Sequence, residues 1–195
     1  MKETYSKNYF EKYAALTLAK ILSINSKQII QDDRPDLRIE TLNYGIEVTQ
    51  ALTPEEAVAD IKKPLYAILK INPFDHLEAD LEFVMQKIEN AINRKEKKSK
   101  NYQRYDHNAL YIFSHCHNLP ESMLLDFFKS HSMVNSFYDH VFINCVDHIY
   151  EYDCQNDTIQ QFYYQKDELI TMNDIALDFE KHCQKPRRKI IIKAS

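Results

Sequence analysis

Two acidic residues, Asp36 and Glu47, stand in settings that suit shared chemistry. Asp36 follows Pro35 at the head of a segment in which Leu37 and Ile39 alternate with Arg38, and Glu47 lies between Ile46 and Val48 in a second alternating segment. Alternation with a period of two marks strands with one buried face. Two short strands joined by a turn near Thr41–Asn43 place both carboxylates on one side, opposite the apolar face. Adjacent strands lie about 4.8 Å apart, so the pair can share one divalent cation. Mg²⁺ takes oxygen ligands, commonly one or two carboxylates with water and phosphate completing the shell. There it polarises a phosphoryl oxygen and activates water. Two plainer readings stand beside this one: Asp36 opens a strand and caps a turn, and Glu47 pairs across the hairpin with Arg38. An unpaired carboxylate inside an apolar strand is costly, so Glu47 needs a partner of one kind or the other.

The elements that must position these residues follow from periodicity. Residues 3–22 read as a helix, with Tyr9, Tyr13, Leu16 and Lys20 on one side and Phe10, Ala14, Leu18 and Ile21 on a fuller apolar stripe. Gln28–Gln31 is a short first strand. Asn43 and Gly45 supply permissive residues at the hairpin. Thr53-Pro54-Glu55-Glu56 is a helix start. Leu77, Leu81, Val84, Ile88 and Ile92 set a long helix over 76–100. Ala109–Phe113 and Val141–Val146 are buried strands, Pro120–Ser130 a helix, and Ile149–Asp153 with Thr158–Tyr164 a hairpin. Asn173–Cys183 is a last helix, and the tail 185–193 a last strand. The order predicts a single α/β (α+β) domain over 1–195 with a mixed central sheet flanked by helices.

Pro35-Asp36, a short hairpin and then Gly45-Ile46-Glu47-Val48-Thr49, preceded by a helix, resemble the core of the PD-(D/E)XK nuclease superfamily, the restriction endonuclease-like fold. The resemblance covers about residues 3–114, with 115–195 as a C-terminal sheet and helix extension. It implies a Mg²⁺-dependent (or Mn²⁺-dependent) endonuclease, a hydrolase of DNA phosphodiesters. Asp36, Glu47 and the Val48 carbonyl would hold the metal, and Glu11 on the first helix would assist. The family pattern ends Glu-x-Lys, whereas this chain has Thr49 at the lysine position. Some members supply that lysine from a neighbouring helix. Lys98 and Lys95 follow the periodic face of the long helix, and Lys98 is the first choice. Gln50 is a weaker substitute, since it points to the other face. Without a lysine in reach, the alternative is a catalytically inactive nucleic-acid- or protein-binding module of the same fold. A third reading makes the hairpin acids plain ion pairs.

Charge points the same way. The net charge is −4, but eleven of the 25 Lys and Arg residues lie in 94–104 and 185–193, with only one of the 29 Asp and Glu residues among them. The rest of the chain therefore carries 14 basic against 28 acidic residues, with two positive islands in it. Such islands suit a polyanion. Arg94, Lys97, Lys100, Tyr102, Arg104, Arg187 and Arg188 are the residues assigned to nucleic-acid contact, Tyr102 by stacking between basic neighbours. DNA is expected before RNA, with a homodimer compatible and no interface assigned.

Composition removes other classes. Gly45 is the single glycine among 195 residues, which excludes a P-loop, a Rossmann dinucleotide site and a G-x-S-x-G elbow. The four cysteines form no CxxC pair, and His115-Cys116-His117 lacks further zinc ligands in register. No apolar run reaches the roughly 18 residues of a membrane span, and the start MKETYSKNYF lacks a signal-peptide core. The expectation is a cytoplasmic protein with reduced thiols and no membrane partner.

Overall fold

A computed structural model describes residues 6–52, 80–131, 133 and 136–183. The expected helix start at Thr53, the first turn of the long helix, and the tail with Arg187 and Arg188 lie outside the described residues. The fold is mixed α/β. Seven strands form one sheet in simple sequential order: β1 (Ile30–Gln31), β2 (Leu37–Ile39), β3 (Tyr44–Gln50), β4 (His107–Phe113), β5 (His140–Asn144), β6 (His148–Asp153) and β7 (Thr158–Tyr163). The central strands β3, β4 and β5 are parallel, and the two flanks β1–β2–β3 and β5–β6–β7 are antiparallel. Parallel strands need crossovers, and helices run between them here.

Among the described residues there are four α-helices: α1 (Lys7–Ile21), α2 (Leu81–Ser99), α3 (Glu121–His131) and α4 (Lys166–Cys183). They cover both faces of the sheet. On one face Phe10, Tyr13, Ala14 and Leu18 of α1 pack with Leu37, Ile39, Ile46, Tyr111, Phe113 and Phe142, joined by Leu169 and Ala176 of α4. On the other, Val84, Ile88, Ala91 and Ile92 of α2 and Leu124 and Phe128 of α3 pack on Leu110, Ile112, Val141 and Ile143. Alternation along β4 thus sends Tyr111 and Phe113 to α1 and Leu110 and Ile112 to α2. That is the double burial expected of a parallel core strand. No helix among the described residues is long and apolar enough to cross a membrane.

Three expectations change in detail. The hairpin turn is a 3₁₀ turn over Glu40–Leu42 closed by Asn43 at φ 44°. Gly45 is needed for a different reason: a Cβ there would come within 2.6 Å of the Tyr105 ring, so only glycine lets that ring lie on the strand. The last helix begins seven residues early, at Lys166. Asn173, a residue type that favours caps and turns, sits buried inside it and accepts a hydrogen bond from the Tyr9 hydroxyl at 2.7 Å.

Candidate active site

The register of the hairpin decides where the two acids go. Leu37 pairs with Ile46 and Arg38 with Gly45, and one more step along this register sets Asp36 opposite Glu47. Residues directly opposite in an antiparallel pair project to the same side. Because Leu37 and Ile46 face α1, Asp36 and Glu47 look toward α2. β2 begins only at Leu37, and beyond its start the Val48 N–H donates instead to Asp36 Oδ2 at 2.8 Å. That bond fixes the carboxylate against β3. Both acids are buried, at 5% exposure each.

Lysine arrives from α2. Lys95 Nζ lies 2.6 Å from Glu47 Oε2 and 3.4 Å from Asp36 Oδ2, with its side chain only 13% exposed. Lys98, the first choice from sequence, is exposed. The buried stripe of α2 runs through Ile88 and Ile92 to Ser99, and Lys95 extends that stripe while Lys98 turns out of it. At the position where the motif places lysine, Thr49 accepts a hydrogen bond from Arg94 Nη2 at 2.9 Å. Arg94, read from sequence as a nucleic-acid contact, is thus tied to β3. Gln50 turns to the opposite face and meets His115 Nε2 at 3.2 Å. The expected rival pairing is absent: Arg38 bonds Asp32 at 3.3 Å and Glu40 at 3.1 Å.

α1 adds a second half to the site. Glu11 is 4% exposed and accepts from Gln31 Nε2 at 3.2 Å. Lys7, one turn earlier, lies 2.8 Å from Asp36 Oδ1 and 3.2 Å from Glu11 Oε1. Lys7 and Gln31 escaped the sequence reading, because only the tertiary packing of α1 and β1 brings them to Asp36. The i, i+4 spacing of Lys7 and Glu11 is the sole local signal.

Among the described residues two ammonium groups, Lys7 and Lys95, therefore link three carboxylates, Glu11, Asp36 and Glu47, in a chain of ion pairs. Burial pushes Glu47 above the usual carboxylate range despite the opposing pull of Lys95. Burial, and then the Asp36 charge, raises Glu11 as well. Burial also acts on Asp36, but Lys95, Lys7 and the Val48 N–H together outweigh it and hold Asp36 below its ordinary value. The Asp36 carboxylate and its neighbours raise Lys7. Carboxylates driven in opposite directions within one cluster are a mark of functional sites.

Beside Glu47 lies a small cleft of about 20 Å³, walled by Pro35, Gly45, Tyr102, Tyr105 and Tyr138, room for one water molecule. Burial and the Glu47 charge raise Tyr102. Its ring lies edge-on to Phe137, over which Arg104 stacks at 5.1 Å. Lys97 and Lys100 are exposed on and just beyond the last turn of α2.

The donor set suits a hard cation: two carboxylate groups opposite each other on paired strands and one surplus negative charge. Among the described residues no three His, Cys, Asp or Glu side chains are gathered as a ready-made metal cluster. Mg²⁺, however, commonly takes only one or two carboxylates. His115 and Cys116 are buried, and His115 stacks on Phe113. No family model matches the chain, and no curated protein or solved structure matches it either.

Proposed function

We propose that the chain is a Mg²⁺-dependent nuclease of the restriction endonuclease-like kind, hydrolysing DNA phosphodiester bonds. The observation that carries this reading is Lys95 Nζ at 2.6 Å from Glu47 and 3.4 Å from Asp36: a lysine from α2 stands beside the acidic pair, as the reading requires of a chain with Thr49 at the motif's lysine position. The order of α1, an antiparallel hairpin bearing Asp36 and Glu47, α2 and a parallel β4 supports the same reading.

Asp36, Glu47 and the Val48 carbonyl would hold the cation, which when bound polarises the phosphoryl oxygen and lowers the pKa of water. The chain's own residues do the rest. Asp36, kept ionised by Lys7, Lys95 and the Val48 N–H, anchors the acidic pair. Lys95 orients the attacking water and stabilises negative charge developing on the phosphoryl group from a fixed, nearly dry position. The cleft beside Glu47 admits that water. Lys97, Lys100, Tyr102 and Arg104 lie next in sequence to Lys95 and track the strand of the substrate by charge and stacking.

The competing reading is a catalytically inactive nucleic-acid- or protein-binding module. One observation favours it: Lys95 bridges the two carboxylates and offsets one of their two charges, as a structural ion pair does. Cleavage of plasmid and single-stranded DNA separates the two. The nuclease reading expects cutting with Mg²⁺ or Mn²⁺ that a chelator and Glu47→Ala each abolish. DNA binding without cutting selects the inactive module.

A further inference from the structure

Resting on the metal-dependent reading above, we infer that Lys7, paired with Asp36 and Glu11, is an exchangeable counter-ion that occupies the Asp36 carboxylate and leaves when the cation binds there. The two lysines of the cluster are not equivalent. Lys95 is 13% exposed and sits between two carboxylates whose side chains are each 7% exposed. Lys7 makes comparable contacts, 2.8 Å to Asp36 Oδ1 and 3.2 Å to Glu11 Oε1, but its side chain is 60% exposed.

An ammonium that already meets water gives up its ion pairs cheaply. A buried one leaves an uncompensated charge behind. Lys7 also stands on the first turn of α1, where a long side chain can swing into solvent without disturbing the core stripe of Phe10, Ala14 and Leu18. Asp36 uses separate oxygens for the two lysines, Oδ1 for Lys7 and Oδ2 for Lys95 and the Val48 N–H. Lys7 can therefore depart while the carboxylate stays anchored. The cation enters on the Lys7 side, bringing Glu11 into its surroundings, and Lys95 remains where the chemistry needs it. With Lys7 in place the acids are partly neutralised, which gives the resting cluster a counter-charge when no metal is bound.

The test uses metal affinity and lysine reactivity rather than cleavage. Mn²⁺ binding to the full chain is measured by calorimetry for wild type, Lys7→Met, Lys12→Met and Glu47→Gln. Lys12→Met removes the same charge from the same helix, at a lysine that lies over Phe179. Lys7→Met is expected to tighten binding by roughly tenfold, the effect of deleting one unit charge at such a distance in a wet setting, and Lys12→Met to leave it unchanged. Saturating Mg²⁺ is also expected to raise acylation of Lys7 by an amine-reactive reagent while Lys95 stays protected. Mn²⁺ binding that Glu47→Gln weakens, but that Lys7→Met leaves unchanged or weakens, overturns the inference and leaves the nuclease reading standing. Lys7 acylation unmoved by Mg²⁺ overturns it likewise. Absence of Mn²⁺ binding in every variant overturns both together.

Discussion

Tyr111 and Glu47 occupy neighbouring strands of one sheet and both bury polar atoms, but they obey opposite rules. On the α1 face, the Tyr111 hydroxyl accepts from Asn144 Nδ2 at 2.7 Å and meets Thr17 Oγ1 at 2.8 Å. Asn144 Oδ1 in turn accepts from the Val146 N–H at 3.0 Å. Every group in that network is neutral and partnered, which is how a core tolerates polarity. On the α2 face, Glu47 belongs to a cluster whose charges do not cancel, with Glu47 and Glu11 pushed up and Asp36 pulled down. The first arrangement specifies the fold. The second leaves one negative charge uncompensated inside the fold, and the proposed function gives that charge a use.

Substitutions that separate stability from cleavage put this contrast at risk. The largest effect is expected from Glu47→Ala, which should lower metal-dependent DNA cleavage by roughly 10² to 10⁴-fold in a plasmid-nicking assay. Tyr111→Phe should do the reverse, costing about 1–3 kcal/mol in urea unfolding by stranding Asn144 and Thr17, with cleavage by the folded fraction retained. If Tyr111→Phe abolished cleavage in folded protein, the division between the two faces would break.

A third polar pair sharpens the picture through pH. His140 Nδ1 lies 3.1 Å from Glu151 Oε1 on the α1 face. That close contact with Glu151, opposed by burial and reinforced by the Glu151, Asp153 and Asp139 charges, raises the histidine pKa. A raised folded value means that the folded state holds its proton longer. The stabilisation is thus complete below the ordinary histidine value near 6.5 and is lost as pH rises through the folded value. His140→Gln should flatten this part of the pH–stability curve, by roughly 0.5–1 kcal/mol for a partly exposed pair, without changing metal affinity. The smallest effect is expected from Lys97→Gln and Lys100→Gln. Each should reduce the salt slope of DNA binding by about one and weaken binding modestly at every sequence.

How much of the site was legible depended on whether its geometry is local. Alternation around Leu37 and Ile46 sufficed to put Asp36 and Glu47 on one side, because strand register carries facing with it. The choice between Lys95 and Lys98 was not legible from the spacing of apolar residues, since both continue a helical face to within one residue. The signal lay in Ser99, a small polar residue that continues the buried stripe beyond Ile92 and so places Lys95 rather than Lys98 on it. Glu11 reads as an ordinary exposed helix residue until β1 and Asp36 close over it. Lys7 and Gln31 depend wholly on how α1 docks. Asn173 misled in the other direction: its residue type suggests a helix start, but the Tyr9 hydroxyl satisfies it within α4.

Whether Lys95 of α2 serves the acidic pair is decided by paired substitutions. Mg²⁺-dependent cleavage of supercoiled plasmid is measured for wild type, Lys95→Met and Lys98→Met, with folding of each checked by thermal melting. Lys95→Met is expected to lose cleavage by roughly 10²-fold or more, while Lys98→Met cuts like wild type at low salt. Cleavage that survives Lys95→Met, or that Lys98→Met alone abolishes, would contradict this role for Lys95.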